Sequence, residues 1–308
     1  KHINELVIQG GIMKKTFLIF MLTVLSVSIA LGQLSITSTS TYTIDFDNSV
    51  SGVNNGGFDT TAGASYLDSN PSPGQLDADA WSCSQTSGSA ASFPGSGTAV
   101  YATCTSDSPG TSGGLFAYNI STLTNRMIGF SPTGSLFTPG NITLKIVNNT
   151  GSTINQLSVE YIVYAYNNQP RANTVDFWHS SDNTTYTNGN LTFTSTAAST
   201  NNWESATKTI TITGLTIADN SPYYLQWRLD DAGGSGSRDK FALDNIKITA
   251  AMGGNTPPSI SNIVQTPSTD IINTTTVSVS ATITDSDGTV TSAQLRWGTA
   301  TGVYGNTI

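Results

Sequence analysis

The sequence predicts an all-β protein: a jelly-roll-like β-sandwich followed by part of an immunoglobulin-like β-sandwich. Charged residues make up only 10% of the 308 residues, against ~25% in an average soluble domain, so the charged surfaces of helical bundles are missing. Apolar and polar residues alternate along most of the chain, whereas helical periodicity is nearly absent after the N-terminal segment. Clusters of Asn, Gly, Ser and Asp separate the alternating segments, as turns do.

The N-terminal segment predicts a signal helix and export. Residues 13–32 begin with a methionine followed by Lys14 and Lys15 and continue as an apolar run, which is the order of a secretory signal peptide. We expect cleavage before Gln33, export through the Sec pathway to the medium or the cell surface, and no membrane span after cleavage. Residues 1–12 precede the methionine and are interpreted as a non-native upstream segment.

Ten segments alternate as half-buried strands do, and their 10–15-residue spacing predicts one β-sandwich over residues 33–250. The predicted strands are Tyr42–Phe46, Ala99–Thr103, Leu115–Ile120, Ile142–Ile146, Leu157–Tyr166, Thr174–His179, Asn190–Thr194, Thr209–Thr213, Tyr223–Leu229 and Phe241–Thr249.

A Gly- and Pro-containing stretch, residues 251–258, is predicted to be a linker. Residues 259–308 then predict an incomplete immunoglobulin-like or fibronectin type III-like module, since that fold needs ~100 residues. Its predicted strands are Ser259–Gln265, Thr276–Thr284 and Ala293–Gly298. We expect the chain to be a fragment of a longer protein.

The two cysteines are predicted to form a disulfide. Cys83 and Cys104 have 20 residues between them, and an isolated pair in an exported protein is usually bonded. Closing a loop of that size would stabilise the fold by roughly 3 kcal/mol in the chain-entropy model.

The charge balance excludes one class of partner and allows one cofactor. The formal net charge is −8, which opposes binding to nucleic acid. Seventeen Asp and only two Glu follow the signal segment, and Asp suits turns and oxygen-ligand sites. We expect that no cofactor is required, with structural Ca²⁺ as the one candidate.

The candidate calcium ligands are Asp45, Asp47 and Asp244. Asp244 has the parity of Ile246 and Ile248, so a regular strand would point its carboxylate inward, where it needs a partner. The sequence leaves three partners open: Arg238, a backbone turn, or a hard cation. A cation would gain Asp45 or Asp47 as further ligands if the first and last strands lie side by side.

No catalytic constellation is recognisable. After the signal segment the chain has one histidine, His179, which we expect on the surface, and two glutamates, Glu160 and Glu204. No nucleophile, metalloprotease or phosphate-binding motif stands in a suitable context. The sequence therefore predicts a non-catalytic region.

Aromatic residues are numerous for a polar β-protein, and three of them are candidate ligand-binding residues. Tyr164 and Tyr166 lie on the face opposite the apolar set of their strand, and Trp178 is near the end of the next one. Exposed rings on a sandwich face stack on sugars; the alternative is that they pack against a loop or the second sheet.

Several stretches resemble a known type of module. The segments FDNSVSGVNNGGF, SNPSPGQLDADAWS and DDAGGSGSRDKFALDNIKI are similar to an N-terminal β-sandwich module of secreted, multidomain bacterial surface proteins. The segment PPSISNIVQTP is similar to their immunoglobulin-like repeats. The resemblance covers roughly Tyr42 to Thr249. It implies an architecture that continues with repeats and with a lamin-tail-like, nuclease, peptidase or type IX sorting domain.

These observations predict a non-catalytic, exported module that binds polysaccharide or another extracellular polymer in adhesion or targeting. The alternative is the N-terminal accessory region of a secreted hydrolase, such as an endonuclease or peptidase, whose catalytic domain lies beyond Ile308. A purely structural spacer in an adhesin is the third option. A sorting domain at the C-terminus would imply type IX secretion. The sequence does not indicate the oligomeric state.

Overall fold

The computed structural model describes residues 34–47, 58, 67–71, 74–84, 92–95, 113–120, 122–253, 258–269, 276–285, 290, 292–297 and 306–307. Within these ranges the regular secondary structure consists of strands alone. They are β1 (Leu34–Ile36), β2 (Thr41–Ile44), β3 (Leu67–Asp68), β4 (Leu76–Asp77), β5 (Trp81–Ser84), β6 (Gly114–Ile120), β7 (Asn125–Ser131), β8 (Gly140–Asn148), β9 (Ile154–Asn167), β10 (Ala172–Ser180), β11 (Thr187–Thr194), β12 (Asn202–Ile212), β13 (Pro222–Gly233), β14 (Lys240–Met252), β15 (Ser259–Thr266), β16 (Ser278–Thr284), β17 (Arg296–Trp297) and β18 (Asn306–Thr307).

Two six-stranded sheets form a β-sandwich, so the predicted all-β, jelly-roll-like class is confirmed. The first sheet has the order β1-β8-β13-β10-β11, with β5 also paired to β8. The second has the order β12-β9-β14-β7-β6, with β2 also paired to β14. Most neighbours are antiparallel; β1 and β8 are parallel. The signal segment and its cleavage point lie outside the described residues.

The main core lies between the two sheets and comes from alternate positions of the long strands. Strand β9 contributes Val159, Tyr161 and Val163, and β13 contributes Leu225 and Trp227, all buried. Alternation along both strands leaves the other side chains on the outer faces. These two outer faces are where ligand-binding residues can lie.

Nine of the ten strands predicted in the sandwich are found at their expected positions, most of them with longer ends, whereas the predicted strand Ala293–Gly298 is described as a strand only at Arg296 and Trp297. Residues 99–103, predicted as a strand, lie outside the described residues. Ala251 and Met252 of the predicted linker belong to β14, where they pair with Gln156 and Ile154 of β9, and the rest of the linker stays a prediction. Strands β1, β3, β4, β5, β7 and β18 are additional.

Strands β15 and β16 pair with each other in a separate two-stranded sheet. All eight positions of β15 are exposed. Within the residues predicted to form an immunoglobulin-like module, the structure describes this pair and the short β17–β18 pair, and the module itself stays a prediction. In the described residues, no helix has the length and apolar character required to cross a membrane.

Candidate functional site

The outer face of the first sheet is a polar surface with aromatic rings. Register pairs bring Thr143 of β8, Gln226 of β13 and Trp178 of β10 into one row across three strands. The next row holds Arg228 and Asp176. We call this surface the Trp178 face; it comprises Asn141, Thr143, Lys145, Asp176, Trp178, Tyr186, Tyr224, Gln226 and Arg228.

Trp178 is half-buried and stacks with a cation. The guanidinium carbon of Arg228 lies 4.0 Å from the centroid of the Trp178 ring and 5.0 Å from that of Tyr186, within cation–π distance of both. Burial lowers the pKa of Arg228, while Tyr186 and Asp176 oppose that change. Burial raises the pKa of Tyr186 to about 12, so its hydroxyl stays protonated at neutral pH. The stack holds two rings and one planar polar group together.

Hydrogen bonds fix the polar groups beside this stack. Gln226 donates from Nε2 to the hydroxyl of Thr143 at 2.9 Å and accepts from Nε of Arg228 at 2.6 Å. The hydroxyl of Thr192 on β11 donates to Asp176. Gln226 and Thr143 are buried, whereas Trp178, Asp176 and Arg228 are partly exposed. The row is therefore rigid at β8 and accessible towards β11.

A second pair of rings extends the face along β13. Phe93 and Tyr224 have centroids 5.7 Å apart, and the ammonium of Lys145 lies 5.0 Å from the Phe93 ring. Both rings are partly exposed. Aromatic rings thus lie both in the Gln226 row, at Trp178, and in the neighbouring row, at Tyr224.

Tyr164 and Tyr166 do not lie beside Trp178, although a single binding surface formed by the three predicted residues would require it. They lie on the outer face of the second sheet, where Trp203 packs against both rings, with centroid distances of 6.4 and 5.3 Å. Tyr118 adds an edge contact to Trp203 at 6.0 Å. Tyr166 is only 7% exposed. The parity prediction of an outward direction is confirmed, but these rings pack in a second apolar cluster rather than on a free surface.

Asp244 does not point into the main core, although its shared parity with Ile246 and Ile248 predicted that it would. Asp244 pairs with Ile162, whereas Lys247 pairs with Glu160, so β14 has one extra residue at this point. Asn245 lies within this β-bulge and has a left-handed φ of +49°. Asp244 therefore shares the side of Ala242, which belongs to the second cluster. It is nevertheless 0% exposed there.

The first and last strands of the sandwich lie side by side, as expected. Strand β2 pairs antiparallel with β14, placing Ile44 opposite Ile246. Asp45 and Asp47 follow β2 and lie close enough to raise the pKa of Asp244 further, after burial, to about 6. Burial also raises the pKa of Asp47. The structure thus brings the three predicted carboxylates into one neighbourhood.

The partners of Asp244 are amides rather than Arg238. Nδ2 of Asn125 and Nδ2 of Asn245 donate to its Oδ2 at 2.8 and 2.7 Å, and its Oδ1 makes no hydrogen bond in the described part of the chain. Arg238 pairs with Asp231 instead, at 2.6 Å. Among the described residues, no group of three or more His, Cys, Asp and Glu side chains is arranged to hold a metal ion. Calcium at Asp45, Asp47 and Asp244 stays a prediction.

Cys83 lies on β5 opposite Ile142, buried in the main core. Burial raises the pKa of its thiol to about 11, so the neutral form is strongly favoured. Cys104 lies outside the described residues, and the predicted disulfide stays a prediction.

His179 is half-buried rather than a surface side chain. Its Nδ1 lies 2.6 Å from the hydroxyl of Tyr223, with the rings stacked at 5.9 Å. Burial lowers the pKa of the imidazole, which favours its neutral form. Both side chains line a cavity of about 770 Å³ at one end of the sandwich. Ser180, Asp182 and Ile217 are also in its lining.

Sequence reasoning found Trp178 but missed Tyr186, Gln226 and Arg228. Alternation along β13 does place Gln226 and Arg228 on the polar side, so their outward direction was available from the sequence. Their position beside Trp178 depends on the pairing of β10 with β13, across about 50 residues of chain. Tyr186 lies in the β10–β11 connection, where no periodicity applies.

No protein-family model and no curated protein matches this sequence. Among solved structures, TmCBM61 in complex with β-1,4-galactotriose aligns with 41% of this chain and 72% of its own, at 8% identity and a TM-score of 0.27. The K3 cleaved adhesin domain of Lys-gingipain from Porphyromonas gingivalis aligns with 41% and 75%, at 13% identity and a TM-score of 0.29. The CBM22-2 xylan-binding domain from Paenibacillus barcinonensis Xyn10C aligns with 45% and 86%, at 12% and 0.29. TM-scores this low carry no argument about a ligand.

Proposed function

We propose that this chain is a non-catalytic polysaccharide-binding module and that the Trp178 face is its binding surface. The observation that carries the proposal is the partly exposed stack of Trp178, Arg228 and Tyr186 beside the hydrogen-bonded row of Gln226 and Thr143. In an exported protein such a module would serve adhesion or targeting, alone or attached to a hydrolase.

The chemistry of this face fits a sugar polymer. A pyranose ring presents C–H groups on its faces and hydroxyls around its edge, so it needs an aromatic ring to stack on and planar polar groups to receive the hydroxyls. Trp178 and Tyr186 supply the rings. Arg228 supplies donors only and Asp176 acceptors only, so together they match both roles of a hydroxyl.

The position of the residues favours a chain rather than a single small ligand. Apart from Lys145 on β8, the partly exposed members of the Trp178 face lie on β10, on β13 and in the β10–β11 connection, and the ring of Phe93 extends the face beside Tyr224. Tyr224 and Arg228 are four residues apart on β13, about 13 Å at ~3.3 Å per residue, so the face is longer than one sugar unit. An extended face of this kind can contact consecutive units.

Binding to a panel of neutral and acidic polysaccharides by affinity electrophoresis, followed by titration calorimetry on any ligand found, tests the proposal. We expect Trp178→Ala to weaken binding at least about tenfold, a loss of about 1.4 kcal/mol. Asp176→Asn, which keeps the shape but changes the hydrogen-bonding capacity, should weaken it less.

Tyr164→Phe is the matched control, because its ring lies on the second sheet and should leave the affinity unchanged. Thermal unfolding of each variant separates lost binding from lost structure. Equal losses for Trp178→Ala and Tyr164→Phe, or binding unaffected by Trp178→Ala, would place the ligand elsewhere.

A further inference from the structure

Four side-chain oxygens at one end of the sandwich are buried and make no hydrogen bond among the described residues. They are Oδ1 of Asn167, Asn168 and Asn173 and Oδ2 of Asp239. Asn173 and Asp239 are 0% exposed and Asn167 is 2% exposed. We call these residues the Asn167–Asp239 cluster; it lies where β9 ends and where β10 and β14 begin.

Hydrogen bonds tie the segments that carry these side chains to one another. Oδ1 of Asp239 accepts from the backbone N–H groups of Asn168 and Gln169, both at 3.0 Å. Asn173 and Ser195 are joined twice, through the Ser195 N–H to the Asn173 carbonyl at 3.0 Å and the Asn173 N–H to the Ser195 hydroxyl at 3.2 Å. The Ser195 hydroxyl also faces the Asp239 carboxyl. Asn168, Asn173, Ser195 and Asp239 are thus linked by direct contacts, and Asn167 adjoins Asn168 in the chain.

The amide of Asn173 is oriented by a salt-bridge network. Its Nδ2 donates to Oδ1 of Asp231 at 2.8 Å. Asp231 is itself held by Arg171 and by Arg238, whose Nε donates to Oδ1 at 2.7 Å. Because the donor end of the amide is fixed, its Oδ1 must point the other way, and exchanging the two atoms would put oxygen against a carboxylate.

All four free atoms are hydrogen-bond acceptors, which decides what can satisfy them. One water molecule donates two hydrogen bonds and would leave two oxygens unmatched. The ammonium of Lys240, 5% exposed, donates to the carbonyl of Arg238 at 3.4 Å, and the Asp239 carboxylate raises the pKa of Lys240 against the effect of burial. Burial raises the pKa of Asp239 and the charge of Glu204 raises it further, whereas hydrogen bonds from Ser195, Gln169 and Asn168 lower it, so the carboxylate is compensated only in part. A hard cation accepts several oxygen ligands at once and supplies the positive charge that a water molecule lacks.

We propose that the Asn167–Asp239 cluster is a calcium site, in which three amide oxygens and one carboxylate oxygen bind the ion. Calcium takes 6–8 oxygen ligands in adaptable geometry, and water or backbone carbonyls complete its shell. Only one ligand is charged, which corresponds to the weak affinities of extracellular modules, with Kd of about 10⁻⁴–10⁻³ M. The ion would join the β9–β10 connection to the start of β14.

Thermal unfolding of the whole chain, first in EGTA and then with increasing CaCl₂ or MgCl₂, tests the site. An ion that binds only the folded state raises the Tm as the concentration of the ion increases. We expect a saturable increase with Ca²⁺ that is half-complete below about 1 mM, and a smaller one with Mg²⁺. Asp239→Asn should abolish the increase, and Asp244→Asn should retain it.

Asn168→Asp should change the calcium affinity in the opposite direction, by increasing it. Its half-buried side chain would add a second carboxylate to the site, so Ca²⁺ should bind at least about threefold more tightly, since affinity rises with the charge of the ligands. This variant keeps the proposal testable if Asp239→Asn does not fold. No Tm increase up to 10 mM CaCl₂ would overturn the proposal. So would an increase that Asp239→Asn keeps and Asp244→Asn loses, since that would place the ion at Asp45, Asp47 and Asp244.

Discussion

Two buried carboxyl groups give the protein a stability that depends on pH. Burial raises the pKa of Asp77 to about 7, and Asp79 and Asp68 add to the increase. Burial raises the pKa of Asp244 to about 6, and Asp47 and Asp45 add to it. Both values lie above the ordinary 3.8, so folding favours the protonated form. The stabilisation is fully present below pH ~4 and is lost as the pH rises through 6 and 7.

Asp244→Asn should therefore stabilise the protein at neutral pH. The amide keeps the shape, its oxygen can accept from Asn125 and Asn245, and no charge is buried. Relative to the unmodified chain in EGTA, we expect a gain that is near zero at pH 4 and grows to at most about 3 kcal/mol at pH 7.5. Urea unfolding at the two pH values measures the difference.

The comparison of variant with parent removes the contribution of Asp77, which both chains share. A variant that is less stable than the parent at pH 7.5 in EGTA would mean that the Asp244 carboxylate is ionised and compensated in the fold, which the burial argument excludes. With CaCl₂ present the parent should gain on the variant only if the predicted ion binds at Asp244.

At the scale of the element, β7 is buried on both sides. Ile128 and Phe130 face the main core, while Met127 contributes to the second cluster with Tyr118 of β6. On the side of the second cluster, the Tyr118 ring lies over Gly129. A Cβ added to Gly129 would come within 2.3 Å of that ring. The glycine thus makes room for an aromatic ring against the sheet.

Gly129→Ala should consequently destabilise the protein. The ring of Tyr118 would have to move away from Gly129 and from Trp203, an overpacking cost of about 1–3 kcal/mol. Gly134→Ala is the matched control, since a Cβ there meets nothing within 4 Å; it should be neutral or slightly stabilising. Urea unfolding compares the two variants. Equal free energies of unfolding would show that the second cluster accommodates the added methyl group without loss of stability.

Strands with one polar face could be predicted from the sequence, and strands without one could not. Alternation identified β9, β12 and β13, because one side of each is polar and the register with the core is visible. Strand β7 is apolar on both sides and β5 has four residues, all buried. Neither contains an alternation, so neither was predicted.

Contacts across the sheet could not be predicted, because strand order and bulges are not local properties. The outward direction of Tyr164 follows from parity, but its coverage depends on Trp203, which the pairing of β12 with β9 places beside it. The direction of Asp244 was predicted wrongly for a different reason. One residue in the left-handed region, Asn245, shifts the alternation of β14, and a shift of one residue reverses every side chain beyond it.

At the scale of the molecule, aromatic rings lie on both outer faces of the sandwich, but their neighbours differ. On the second sheet, Trp203 is partly exposed and packs against the buried rings of Tyr118 and Tyr166. On the first, Trp178 and Arg228 remain partly exposed and have polar neighbours. The rings on the second sheet therefore have mainly apolar neighbours, whereas those on the Trp178 face have hydrogen-bonding groups beside them, which is the difference expected if the Trp178 face is the binding surface that we propose.

The hairpin of β15 and β16 should contribute little to the stability of the sandwich. Ile260, Ile263 and Val264 are 60%, 68% and 52% exposed, so removing them loses little buried apolar surface, the main source of stability. We expect a chain that ends at Gly253 to keep its Tm within about 2 °C and to be more soluble, because an exposed apolar patch is lost. A chain that ends at Asp239 is the control; it lacks the central strand β14 and should not fold. A fall in Tm of more than about 5 °C on ending at Gly253 would mean that residues 254–308 stabilise the sandwich, contrary to the expectation from the exposed apolar side chains of β15.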